Sequence, residues 1–83
     1  VVIFRFPIQD LEFEVPEDLS AVQKGRWLEV TVPETGSIRE TLQQAGIELS
    51  RPSAAVVNGQ ASDLDRILQD GDRVEMLPQI AGG

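Results

Sequence analysis

Cysteine, histidine and tyrosine are all absent from this sequence, and each absence removes a class of chemistry. Without cysteine the chain has no disulfide, no thiolate metal ligand and no thiol nucleophile. Without histidine it has no imidazole to serve as a base near neutral pH. Carboxylates alone remain as metal ligands, and they are scattered without the spacing of a calcium loop. Cationic charge is also scarce: 7 Lys and Arg stand against 14 Asp and Glu, a formal net charge of -7. Such a chain is repelled by phosphate backbones and anionic lipid surfaces, so neither nucleic acid nor membrane is an expected partner. A basic partner surface fits this charge better.

Long apolar runs are missing as well. Apolar residues come three or four at a time, far short of the roughly 20 a membrane span requires. No basic stretch precedes a long apolar core, so a secretory leader is not expected, and a cytoplasmic location is. At 83 residues the expectation is one domain, too small to bury more than about 60% of its unfolded surface. Regular packing of sheet and helix must then hold it together.

Periodicity supplies those elements. Val1 to Phe6 is β-branched and aromatic on both faces and ends at Pro7, which predicts a strand in the middle of a sheet. Leu11, Phe13 and Val15 alternate with Glu12 and Glu14, predicting a half-buried strand closed by Pro16. Residues 17–25 are weakly patterned and read as a single helical turn. From Trp27 to Val32 the alternation resumes, Leu28, Val30 and Val32 on one side, and Pro33 stops it.

The helix signal is the clearest local one. Ser37 and Glu40 form an S-x-x-E capping box, Ile38, Leu42 and Ala45 share one face, and Gly46 with Ile47 supplies a left-handed stop and its apolar contact. A strand over Ala54 to Val57 follows, ending in the Asn58-Gly59 turn. Leu64, Ile67 and Leu68 have helical spacing and predict one turn packed under the sheet. Asp70-Gly71-Asp72 is a turn, and the last strand runs from Arg73 to Leu77 with Val74 and Met76 inward. The expected fold class is α+β, with the helix across one sheet face.

The run from Asp70 to Gly83, DGDRVEMLPQIAGG, resembles the C-terminus of the MoaD/ThiS sulfur carriers: a DGD-type turn, an apolar strand, then Gly-Gly. Val56-Val57-Asn58-Gly59 and residues 30–44 resemble further parts of the same family, so the likeness covers roughly the last two-thirds of the chain and is poorer over 8–26. It implies a ubiquitin-like β-grasp fold, a mixed sheet of four to five strands with one main helix, over residues 1–78, and a flexible Gly-Gly tail over 79–83. It implies a protein co-substrate rather than an enzyme, or the small subunit of a sulfurtransferase. It further implies that the carboxyl of Gly83 is adenylated and becomes a thiocarboxylate, with Gly82 and Gly83 threading a partner's channel, where any side chain would obstruct. It implies that the chain itself binds no cofactor and that ATP is used by the activating partner. The implied partners are a ubiquitin-activating-like adenylyltransferase, a sulfur donor enzyme and a larger catalytic subunit of the molybdopterin synthase type. Molybdopterin synthesis is the leading pathway, with thiamine and cysteine synthesis as alternatives.

Leu77 is singled out twice, because alternation puts it with Arg73 and Glu75 on the polar face and because the resemblance puts the residue before this proline at partner interfaces. Pro78, Ile80 and Ala81 join it as partner-binding residues. Leu77 otherwise only covers the sheet. The acidic group Glu12, Glu14, Glu17 and Asp18 reads as a solvated face, or as a contact for a basic partner. Two other functions stay open: a ubiquitin-like modifier joined through Gly83 to lysine, and a passive β-grasp interaction module.

Overall fold

A computed structural model describes residues 1–11, 13–49 and 53–78. Among these, the chain forms six strands and one α-helix: β1 (Val2–Pro7), β2 (Ser20–Lys24), β3 (Trp27–Val32), α1 (Ile38–Ala45), β4 (Ser53–Val57), β5 (Gln60–Ser62) and β6 (Arg73–Pro78). A short 3-10 helix over Ile8–Asp10 follows β1. The strands make one sheet in the order β2-β3-β1-β6-β4-β5. All neighbours are antiparallel except β1 and β6, which run parallel in the centre. This mixed sheet with its single helix is compatible with the ubiquitin-like β-grasp that the resemblance implies, with six strands in place of four to five.

Every second residue of the central strands faces the core. Val2, Phe4 and Phe6 of β1, Val30 and Val32 of β3, Ala55 and Val57 of β4, and Val74 and Met76 of β6 are buried together with Ile38 and Leu42 of α1. Apolar burial at about 25 cal/mol per Å² is the main force holding so small a domain. Phe6 meets Phe13 edge to face, with centroids 4.9 Å apart.

The helix is capped as its sequence predicts. Ser37 Oγ accepts from the Glu40 N–H at 3.1 Å, and Glu40 Oε1 accepts from the Ser37 N–H at 3.1 Å. At the other end Gly46 sits at φ 82°, where its N–H reaches the Gln43 and Leu42 carbonyls. The two remaining free donors at the helix start are satisfied from afar: the Ile38 N–H donates to the Arg66 carbonyl and the Arg39 N–H to the Leu64 carbonyl, both at 3.0 Å.

That pairing explains one departure from the sequence reading. The expected turn forms at Leu64, closed by the Arg66 N–H donating to the Asp63 carbonyl at 3.4 Å, but Ile67 does not join Leu64 and Leu68 against the core, because the segment lends its carbonyls to α1. Leu68 is buried and Leu64 partly so, while Ile67 is 63% exposed. Two further expectations are corrected. Leu11, Phe13 and Val15 pack against the core from a loop, without strand pairing; the edge of β3 they would need is occupied by β2. Residues 20–24, inside the stretch read as a helical turn, form β2 itself, joined to β3 by a two-residue turn with Gly25 at φ 60°.

The Asn58-Gly59 and Asp70-Gly71-Asp72 turns are stitched together. Asp72 accepts from the Gln69 N–H and from Asn58 Nδ2, both at 2.9 Å, and Asn58 Oδ1 accepts from the Arg73 N–H at 3.0 Å. These bonds hold the start of β6 beside β1 and β4. The Gln69 N–H first, then the Asn58 amide, keep the Asp72 carboxyl below the usual aspartate range. A depressed folded-state pKa stabilises the fold fully above the ordinary aspartate value, and that contribution is lost as pH falls through the folded-state value. Asp72→Ala is therefore expected to cost about 1 kcal/mol at neutral pH. Urea unfolding at a series of pH values should show the gap from wild type closing below about pH 4.

Candidate functional site

Alternation along the strands sends one set of side chains away from α1. On this outer face the register sets Lys24 opposite Trp27, Trp27 opposite Pro7, and Leu77 opposite Ala54. β1 and β6 pair in step through Arg5 and Glu75, and two residues further along both strands Pro7 and Leu77 line one open groove. That groove has a volume of about 750 Å³, and Ile8, Gln23, Arg26 and Trp27 also line it. Leu77 is thus one member of an apolar row, Trp27, Pro7, Leu77 and Ala54, that crosses four strands at the end where β6 finishes.

The next row is charged. Glu29 of β3 is only 8% exposed and has three cations around it: Arg5 Nε at 3.3 Å, Arg73 Nη2 at 3.3 Å and Lys24 Nζ at 3.6 Å. Arg73 donates a hydrogen bond to it, whereas Arg5 Nε lacks hydrogen-bond geometry and is buried. Arg5 also reaches Glu75 at 3.6 Å and lies over the Trp27 ring, 4.7 Å from its centroid. A nearly buried carboxylate would be costly alone, and here the surrounding cations offset its desolvation. The cation over the indole face fixes Trp27 against the sheet.

The predicted site residues divide between the described and undescribed parts. Leu77 is half-buried on the outer face, and Pro78 closes β6 with its Cα opposite that of Ser53. Ile80, Ala81, Gly82 and Gly83, and with them the expected tail over 79–83, lie outside the described residues. Glu14, Glu17 and Asp18 are exposed, as a solvated face requires, and Glu12 lies outside the described residues. Sequence reasoning did not assign Trp27 or Pro7 to the site, taking one as the start of a strand and the other as a strand terminator. The signal was present in the alternation of β3, which puts Trp27 with Glu29 and Thr31 rather than with the core valines.

This face offers an apolar strip adjoining the C-terminal strand. The ThiS family model matches residues 11–83. The chain belongs to the ThiS family. Its members are small sulfur-carrier proteins rather than enzymes, and they work with activating enzymes and sulfurtransferases. The match runs through Gly83 and begins at Leu11, so it takes in most of the 8–26 stretch where the likeness is poorer, and leaves out β1. No curated protein and no solved structure matches the chain. Among the described residues no helix is long and apolar enough to cross a membrane.

A half-exposed apolar side chain beside a groove contributes little to folding. Leu77→Glu is expected to cost about 1 kcal/mol or less, measured by denaturant unfolding followed through Trp27, the sole tryptophan. A docking role for Leu77 predicts that the same variant weakens binding to the cognate activating enzyme at least about tenfold.

Proposed function

We propose that the carboxyl of Gly83 is the reactive group of this carrier: an ATP-dependent adenylyltransferase activates it, and a sulfur donor converts it to a thiocarboxylate. The observation that carries the reading is the position of β6. It is held in the sheet between β1 and β4 and ends beside the Trp27, Pro7 and Leu77 groove, and the family match continues from it through Gly83.

The chemistry asks nothing of the chain's side chains. A terminal carboxyl has a reference pKa of about 3.5 and is ionised at neutral pH. One of its oxygens attacks the α-phosphorus of ATP and expels pyrophosphate, leaving an acyl-adenylate on Gly83. A sulfur nucleophile at the sulfide level then adds to the acyl carbon and expels AMP, so a C–S bond replaces a C–O bond with no change in the oxidation state of carbon. Glycine at 82 and 83 leaves that carbon unhindered. ATP belongs to the partner's site.

In this reading Leu77 and Pro78 seat the partner enzyme against the outer face, and Ile80 and Ala81 contact it along the tail. Five residues follow Pro78 in the sequence, and at about 3.3 Å each they reach roughly 16 Å when extended. That length suits insertion into an active site borne by a larger subunit, which supplies the bases this chain lacks. The Pro78-Gln79-Ile80-Ala81-Gly82-Gly83 ending looks more like that of the molybdopterin synthase small subunit or the cysteine-synthesis carrier than that of the thiamine carrier, and of the first two we place molybdopterin synthesis ahead.

Intact mass spectrometry tests the chemistry. After incubation with ATP, a sulfur donor and extract of the source cells, the chain should exchange one oxygen for sulfur at Gly83. Deleting Gly83 should abolish this exchange and leave the unfolding midpoint close to wild type, because β6 ends five residues earlier. An unchanged wild-type mass, in an extract that thiolates a known carrier, would refute the proposal.

A further inference from the structure

The two edges of the sheet are unlike. β5 is three residues long, whereas β2 has five, all of them exposed. Edge strands are normally protected by shortness, proline, bulges or charged side chains, lysine above all, and β2 carries a single charge, Lys24, at its last position. β2 has no proline, and its register with β3 is unbroken from Ser20 to Lys24. Its single large apolar side chain, Val22 at its midpoint, is 51% exposed. Among the described residues, the backbone of β2 pairs only with β3.

Charge is arranged antisymmetrically about the same midpoint. Glu17 and Asp18 precede the strand, while Lys24 ends it and Arg26 follows, all of them exposed. Lys24 also lies 3.6 Å from Glu29, with 65% of its side chain open to solvent. A two-fold contact requires one surface to complement itself, so an antiparallel strand pair must match its own start to its own end. This strand does so.

We propose that β2 pairs with β2 of a second copy, antiparallel and centred on Val22. In that register Val22 faces Val22, Lys24 of each copy faces Ser20 of the other, and the Asp18 and Glu17 of one copy lie next to the Lys24 and Arg26 of its mate. The pairing satisfies the free backbone edge and covers Val22. It joins two six-stranded sheets, with the contact meeting the groove at Leu77 only at the end of β2, where Gln23 and Arg26 line it. The contact is small, and two chains of net charge -7 repel at long range, so the dimer is weak and needs moderate salt. At about 0.1 M the Debye length is about 10 Å, which screens the net charge while adjacent ion pairs persist. The inference stands independently of the sulfur chemistry.

Sedimentation equilibrium of the full chain at about 0.1 M salt, from about 10 μM to 1 mM, decides the matter. The average mass should rise above that of the 9.1 kDa monomer with concentration. Val22→Lys, which sets two ammonium groups face to face, should raise the dissociation constant at least tenfold while the unfolding curve stays close to wild type. Lys24→Glu should weaken the dimer, and the double variant Asp18→Lys with Lys24→Glu should restore it. Loss of the Lys24 to Glu29 pair within one chain would not be repaired by a change at Asp18, so the rescue separates interface from fold. A wild type that stays monomeric throughout, a Val22→Lys dimer of unchanged strength, or a double variant without rescue would overturn the proposal.

Discussion

The parallel pairing of β1 with β6 is the contact on which the remaining architecture depends. It joins Ile3 to Arg73 and Arg5 to Glu75, residues from opposite ends of the chain. Parallel neighbours cannot be joined by a tight turn, so everything between the two strands acts as their crossover. The helix, the β4 and β5 hairpin and the Leu64 to Leu68 segment all lie in that connection. Closing so long a loop costs chain entropy before any contact offsets it, and the fully buried Phe4 and Val74 side chains supply the return. β6 is thereby placed in the middle of the sheet, braced on both sides.

The outer face combines two requirements that usually conflict. A sheet face left open for a partner must be apolar enough to bind, yet it must not become a site of indiscriminate association. Here the apolar row at Leu77 lies beside the charged row around Glu29. The cations that compensate this carboxylate belong to β1, β2 and β6, so the same ion pairs tie three strands to β3. Arg5 serves both rows, through Glu29 and through the face of Trp27.

Much of this was legible locally. The capping box at Ser37 and Glu40, the left-handed Gly46, the central β1 and the inward Val74 and Met76 are statements about neighbours in sequence, and local chemistry dictates them. β2 was illegible because an edge strand with every side chain exposed has no hydrophobic period to read. The opposite error arose over 11–15, where alternate apolar residues dip into the core from a loop; periodicity reports which side chains are buried, and pairing depends on which sheet edges are free. Ile67 followed the same logic, its helical spacing overridden by helix-start donors that only the tertiary fold brings near. At the site, Leu77 stood out as an apolar residue on a polar face, whereas its neighbours Pro7 and Trp27 belong to strands remote in sequence. Register is non-local, and a single strand's pattern does not contain it.

The central position of β6 also determines how the molecule bears load. A pull applied at the C-terminal end runs along β6, roughly perpendicular to the hydrogen bonds joining it to β1 and β4. Bonds so oriented share the force together, in shear, instead of opening one after another as a peeled edge strand would. A load applied beyond Pro78 therefore strains the strongest direction of the sheet, and the domain behaves as a rigid handle.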